Sequence, residues 1–300
     1  MPAEASTAHL GERAQQILGL SDAQRIAWID RDLWIGYGRA RDAQARLEQI
    51  LHSERRMRPD NLLIIGASNN GKTAIAHRFH AQQTLPEDPA AERSRIPVAL
   101  IQAPNGPRIP QLLTAIIAAL GREVAARRTM AQLRNETYKA MRDVGLRLLL
   151  IDDLHNIKGT GVATMLVELR EIGSVTGVSL GCFATREIAY VLRQDEQLAN
   201  RLEPFLLPRW RVDDPDYLRL LATFERHLPL RKRSGLTEPD IAARILAMAD
   251  GLIGGIAGLL RRAAANAVRT GHERIDAAIL DRVRPLSPAA LDDLAQAVGA

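Results

Sequence analysis

Apolar residues fall along this chain in two rhythms: short, nearly continuous runs, and stripes at helical spacing. The runs are residues 62–65 (LLII), 96–102 (IPVALIQ), 146–151 (LRLLLI), 178–184 (VSLGCFA) and a short one at 205–207 (FLL). Each reads as a buried strand. Between them lie helical stripes at residues 74–83, 111–121, 129–144 and 162–172. Strands alternating with helices predict a parallel five-stranded α/β sheet with helices on both faces. After residue 213 the strand rhythm stops, and segments 214–229, 238–250, 252–269 and 275–283 all read as helices. Ahead of the sheet, residues 21–51 read as amphipathic helix around the unusual stretch WIDRDLWIGY at 28–37. The expected division is an N-terminal helical segment (1–55), an α/β core (56–212), a helical domain (213–284) and a tail (285–300).

The first strand carries the strongest chemical signal. It ends at Gly66, and Gly71-Lys72-Thr73 follow at the spacing G-x-x-x-x-G-K-T, opening a helix. Strand, glycine-bounded loop and helix together are the context a phosphate-binding loop requires. Gly66, Ala67, Ser68, Asn69, Asn70, Gly71, Lys72 and Thr73 are the expected nucleotide-binding residues. Backbone N–H groups at a helix start make a pocket for anionic phosphate. Lys72 supplies a point charge to the β and γ phosphates, and the Thr73 hydroxyl suits Mg²⁺. The third strand closes on Asp152-Asp153. In parallel sheets ligands sit at the carboxyl ends of the strands, so these acids are expected to face the loop. Asp152 is then the Mg²⁺ carboxylate and Asp153 the group that orients and deprotonates the attacking water.

Composition narrows the class without adding chemistry. Forty Lys and Arg against 35 Asp and Glu give +5, which permits a polyanionic partner but does not require one. One cysteine, Cys182, excludes an intramolecular disulfide and fits a reducing compartment. The longest apolar stretches, near 112–120 and 252–260, are too short to span a bilayer, so no membrane partner is expected. The first residues lack the basic start and apolar centre of a signal peptide, and a cytoplasmic protein is the expectation.

The layout resembles the AAA+ ATPases, and within them the transposition ATPases of the TniB and TnsC kind, related to the phage Mu B protein. The residues that carry this are Trp34-Ile35-Gly36-Tyr37, the GASNNGKT loop, Asp152-Asp153-Leu154-His155-Asn156, and Gly251-Leu252-Ile253-Gly254 in what would be the family's lid. The resemblance implies an ATPase that assembles on double-stranded DNA as a ring or helical filament and controls a DDE-type transposase. It implies ATP and Mg²⁺ as cofactors, and it places Tyr37 among the nucleotide-binding residues. It puts Thr185, after the fourth strand, where the family has a polar sensor of the γ-phosphate. Arg201 falls where an arginine acts on the neighbouring subunit's ATP. Two departures stand out: Asp153 replaces the usual Glu, and the lid reads GLIGGIAGLLRR where many members carry a sensing arginine.

Arg108, in the loop after the second strand, and Arg122, Arg127 and Arg128 beyond it are the candidate DNA contacts; such cations follow a phosphate backbone without reading sequence. No helix-turn-helix, zinc-finger or RNA-binding signature is present. His155 has no second His or Cys at ligand spacing and reads as a structural or supporting residue. A helicase loader or replication initiator, and a low-turnover nucleotide switch favoured by Asp153, are the alternatives. In the tail, Leu291, Leu294 and Val298 share a stripe suited to docking on the chain itself or on a partner.

Overall fold

The structure is a computed structural model that describes residues 7–85, 95–124, 128–193 and 195–284. Arg127 and the tail 285–300, both singled out above, lie outside the described residues. Five strands form one sheet: β1 (Asn61–Gly66), β2 (Val98–Gln102), β3 (Leu148–Asp152), β4 (Ser179–Ala184) and β5 (Leu202–Leu207). Their order is β2-β3-β4-β1-β5, and every pairing is parallel. Residues of β3 and β4 are buried throughout. That is why these strands read as nearly continuous apolar runs: both faces are covered. Strand β5 starts three residues before the apolar run that announced it. It includes Pro204, which lacks a ladder donor and is tolerated because β5 is an edge strand.

Parallel pairing sets the register that builds the site. Ile65 pairs with Ala184, Ile151 with Cys182, and Gln102 with Asp152. The ends of β1, β2, β3 and β4 therefore come to one edge of the sheet, carrying the loop after Gly66, Gln102, Asp152 and Thr185. Two apolar layers sandwich the sheet. The helices Ile109–Ala119, Met130–Asp143 and Val162–Thr176 contribute Leu112, Ile116, Met141, Leu166 and Leu169 to a core that includes Leu149, Ile151 and Leu180. Glycine at 181 admits the Leu47 and Leu150 side chains, which a Cβ would meet at 3.0 and 2.7 Å.

The chain forms two compact units, one of them Gly38–Pro208 with the sheet. The other takes the described residues up to Tyr37 together with those from Arg209 onward and is wholly helical. The helix Gly38–His52, grouped with the N-terminal segment in the sequence division, belongs to the sheet unit; it buries Ala40, Ala43 and Leu47 there. No single helix among the described residues is long and apolar enough to cross a membrane.

In the helical unit, the helix Asp22–Ile29 starts with a capping box between Ser21 and Gln24. It packs on the long helix Ile253–Arg269. Arg25 on the first of these is fully buried. Its guanidinium donates to Glu273 Oε1 at 2.8 Å and Oε2 at 2.5 Å, and to the Pro229 carbonyl at 2.7 Å. Burial pushes the Glu273 carboxyl up, but the Arg25 hydrogen bond, the Arg231 backbone N–H and both guanidinium charges outweigh it and hold Glu273 below its ordinary 4.5. Arg25→Ala, which leaves that buried carboxylate to Arg231 alone and strips the buried Pro229 carbonyl of its donor, is expected to cost about 3 kcal/mol in a denaturant melt of the full chain. Because the folded-state value is depressed, the parent's Glu273 contribution is complete above 4.5 and fades as pH falls below it. The gap between parent and variant should therefore narrow in acid.

Candidate functional site: the phosphate loop and the strand ends facing it

The loop between β1 and the helix Lys72–Gln83 is held by its own residues. Gly71 has φ 81, a left-handed conformation a glycine adopts without strain, and it caps the helix. Gly66 has Leu207 Cβ 3.1 Å from where its own Cβ would lie, so a side chain there would push on β5. Asn69 also takes a left-handed turn at φ 59, which Asn tolerates better than most residues. Asn70 is buried, and its side-chain amide donates to the carbonyls of Leu207 at 2.9 Å and Pro208 at 3.2 Å. The Asn-Asn pair thus shapes the loop and moors it to the end of β5. Of the residues expected to bind nucleotide, Asn70 has its side chain committed to this anchor, which leaves its backbone for a ligand.

Lys72 is buried at the mouth of the loop, with Nζ donating to the carbonyls of Gly66 (3.0 Å) and Ala67 (2.8 Å). Burial lowers its pKa, partly offset by Asp152, Asp153 and Glu187. The carboxylates that face the ammonium are therefore those of the β3 end and of Glu187. Thr73 Oγ1 donates to Asp152 Oδ2 at 2.6 Å, closing a link between residues 79 apart in sequence. Asp152 is buried and its other oxygen accepts the Asp153 N–H at 2.9 Å. One hydroxyl and one carboxylate side by side fit Mg²⁺, which takes hard oxygen ligands and is usually held through one or two protein groups plus phosphate and water. Among the described residues no cluster of three or more His, Cys, Asp or Glu side chains is placed to hold a metal without such help.

Asp153 sits at φ 53, again left-handed. Its Oδ2 accepts from Gln102 Nε2 at 3.1 Å. Gln102 was not foreseen; only the β2–β3 register reveals that the strand ends meet. Thr185 follows β4 at the same edge and is buried. Its hydroxyl approaches Glu187 closely enough to be the main influence holding that carboxylate below its ordinary range, without a hydrogen bond of regular geometry.

Arg201 lies elsewhere. It precedes β5, whose Leu202 pairs with Asn61 and whose Leu207 pairs with Gly66. It is therefore at the sheet edge opposite the loop, about 20 Å away by strand rise. Arg201 Nη1 donates to Ser174 Oγ at 3.0 Å, and the residue lines a cleft of about 630 Å³ with Arg58, Asp60 and Asn200. Tyr37 belongs to the helical unit, where its ring meets Trp210 edge-on at 5.1 Å and burial lifts its hydroxyl to about 12.

The candidate DNA cations divide. Arg122 pairs with Asp143 at 3.1 Å and Arg128 pairs with Glu136. The neighbouring Arg134 forms a bidentate pair with the buried Glu168, Nε donating to Oε1 and Nη2 to Oε2. Arg108 is exposed at the start of the helix Ile109–Ala119, with no ion pair among the described residues. The adjoining loop, tied to it by the Gly106 N–H donating to the Asn156 carbonyl at 3.1 Å, exposes Lys158, a cation the sequence reading passed over.

The family model for bacterial TniB protein matches residues 25–212. The chain belongs to the TniB family. No curated protein matches it. Among solved structures, the Aeropyrum pernix Orc1 protein in complex with DNA is similar, with a TM-score of 0.59 and 20% identity, covering 86% of this chain and 68% of that one. Pyrobaculum aerophilum Cdc6p gives 0.56 and 15%, covering 85% and 68%. The Thermotoga maritima RuvB Holliday junction branch migration motor gives 0.50 and 14%, covering 82% and 68%. The fold is that of the P-loop AAA+ ATPases, as the TniB-type resemblance implied.

The Asn70 anchor has a measurable consequence. Asn70→Ala removes a buried hydrogen bond to the Leu207 carbonyl and a partly buried one to the Pro208 carbonyl, and is expected to cost about 1–3 kcal/mol in the sheet unit. Urea unfolding of parent and variant checks this, with the stability loss as the readout.

Proposed function

We propose that this TniB-family chain is an ATP-dependent regulator of DNA transposition. In this reading it binds ATP at the loop 66–73, assembles on double-stranded DNA, recruits or activates a DDE-type transposase, and hydrolyses ATP. The observation that carries it is the Thr73–Asp152 hydrogen bond beside buried Lys72, which joins the two halves of a nucleotide site in a chain of this family. Thr73 and Asp152 would hold Mg²⁺, which would neutralise phosphate charge. Lys72 exchanges loop carbonyls for phosphate oxygens, a stronger charge-assisted interaction. Asp153 accepts the proton of the attacking water, and Thr185 fixes that water or the phosphate it attacks.

Arg201, at the far edge of the sheet, cannot serve its own loop. It serves a neighbour's, supplying positive charge to the transferring phosphoryl group, so turnover requires self-assembly. Arg108 and Lys158 carry DNA backbone contact, while Arg122 and Arg128 are held in local ion pairs and contribute less. The Orc1 structure with DNA is of a protein of the same fold, which supports DNA as a partner. A low-turnover switch is the second reading, favoured by the short carboxylate at Asp153.

Lys72→Ala should abolish ATP binding, measured by fluorescent-nucleotide titration; parental affinity in the variant would end the assignment. Asp153→Asn should keep ATP bound while turnover falls by about 10²-fold or more, as loss of a general base does. Duplex DNA affinity should drop steeply between 50 and 200 mM salt, by about tenfold or more for a few phosphate contacts, and Arg108→Ala with Lys158→Ala should weaken all sequences alike and flatten that slope. Binding indifferent to salt would remove the backbone-contact reading.

A further inference from the structure

We infer that His155 is a positioning residue for Asp153, its Nδ1–H steadying the carboxylate oxygen that Gln102 leaves free. The inference rests on the ATPase reading above. His155 lies in the short turn Leu154–Asn156 directly after the acidic pair. Its Nδ1 is buried and has no hydrogen-bond partner, whereas buried polar atoms nearly always have one. Asp153 Oδ1 stands 4.0 Å away, about 1 Å beyond hydrogen-bond length. The other oxygen, Oδ2, is already held by Gln102.

The surroundings leave the side chains as the moving parts. The Asp153 N–H is bound to Asp152 Oδ1, and the Asp153 carbonyl accepts the Asn156 N–H at 2.8 Å. Leu154 is fully buried, and the Asn156 carbonyl is tied to Gly106. With the backbone pinned at both ends, a small rotation of either side chain closes the gap. The carboxylate would then be gripped from both sides, His155 on Oδ1 and Gln102 on Oδ2. A short Asp has less reach toward water than Glu, so the angle of its oxygens has more effect on turnover. A merely structural histidine would be expected to have its buried nitrogen satisfied, and a metal role finds no companion ligands among the described residues.

The test is steady-state ATPase with the full chain and duplex DNA, comparing His155→Ala, His155→Asn and His155→Gln. An Asn amide nitrogen overlays the Nδ1 position and a Gln nitrogen overlays Nε2. His155→Ala should lower kcat about ten- to a hundredfold, the scale of a 1 Å misplacement, with KM for ATP unchanged. His155→Asn should recover most of it and His155→Gln little. In an Asp153→Asn background, His155→Ala should have no further effect on kcat. Parental kcat in His155→Ala, equal rescue by Asn and Gln, or a change confined to KM would overturn the inference while leaving the ATPase reading intact. If His155→Ala fails to fold, the Asn-against-Gln contrast still decides the point. A parent with no Lys72-dependent turnover overturns the ATPase reading and the inference with it.

Discussion

The hydrogen bond from Thr73 to Asp152 is the contact on which the site depends. It joins the start of one helix to the end of a strand that is not even its neighbour in the sheet, since β4 lies between β1 and β3. Parallel pairing puts both carboxyl ends at one edge, and the strand order leaves only β4 between them. The buried, apolar character of β3 and β4 is therefore a functional constraint as well as a source of stability. A slip of one residue in either register would turn the acidic pair away from the loop.

Around that contact, the polar groups are held by one another. Asn70 moors the loop to β5, Lys72 is satisfied by loop carbonyls, and Gln102 holds Asp153. Asp153 also explains its own identity in part. Its backbone lies at φ 53, a region that Asp and Asn enter more readily than Glu. The departure from the usual Glu is consistent with a tight left-handed turn between β3 and the segment carrying His155.

Much of this was legible in the sequence, for a physical reason. Residues 62–73 combine a buried strand, a glycine-bounded loop and a helix start, three local signals that agree, and Asp152-Asp153 end an apolar run whose length marks a central strand. What escaped depended on pairing at a distance. The role of Asn70 needs β5 beside the loop, Gln102 needs the β2–β3 register, and the loss of Arg122 and Arg128 to ion pairs needs Asp143 and Glu136 in place. Edge strand β5 was read short because Glu203 and Pro204 interrupt its apolar run, and the helix Gly38–His52 was grouped with the wrong neighbours because amphipathicity shows that a face is buried without showing against what.

The central claim is that nucleotide at this loop governs assembly on DNA. Analytical ultracentrifugation of the full chain with a short DNA duplex, with and without a non-hydrolysable ATP analogue and Mg²⁺, tests it most directly. The account predicts a large, discrete oligomer only when DNA and nucleotide are both present, and its absence in Lys72→Ala. Sedimentation that is the same with and without nucleotide would contradict it.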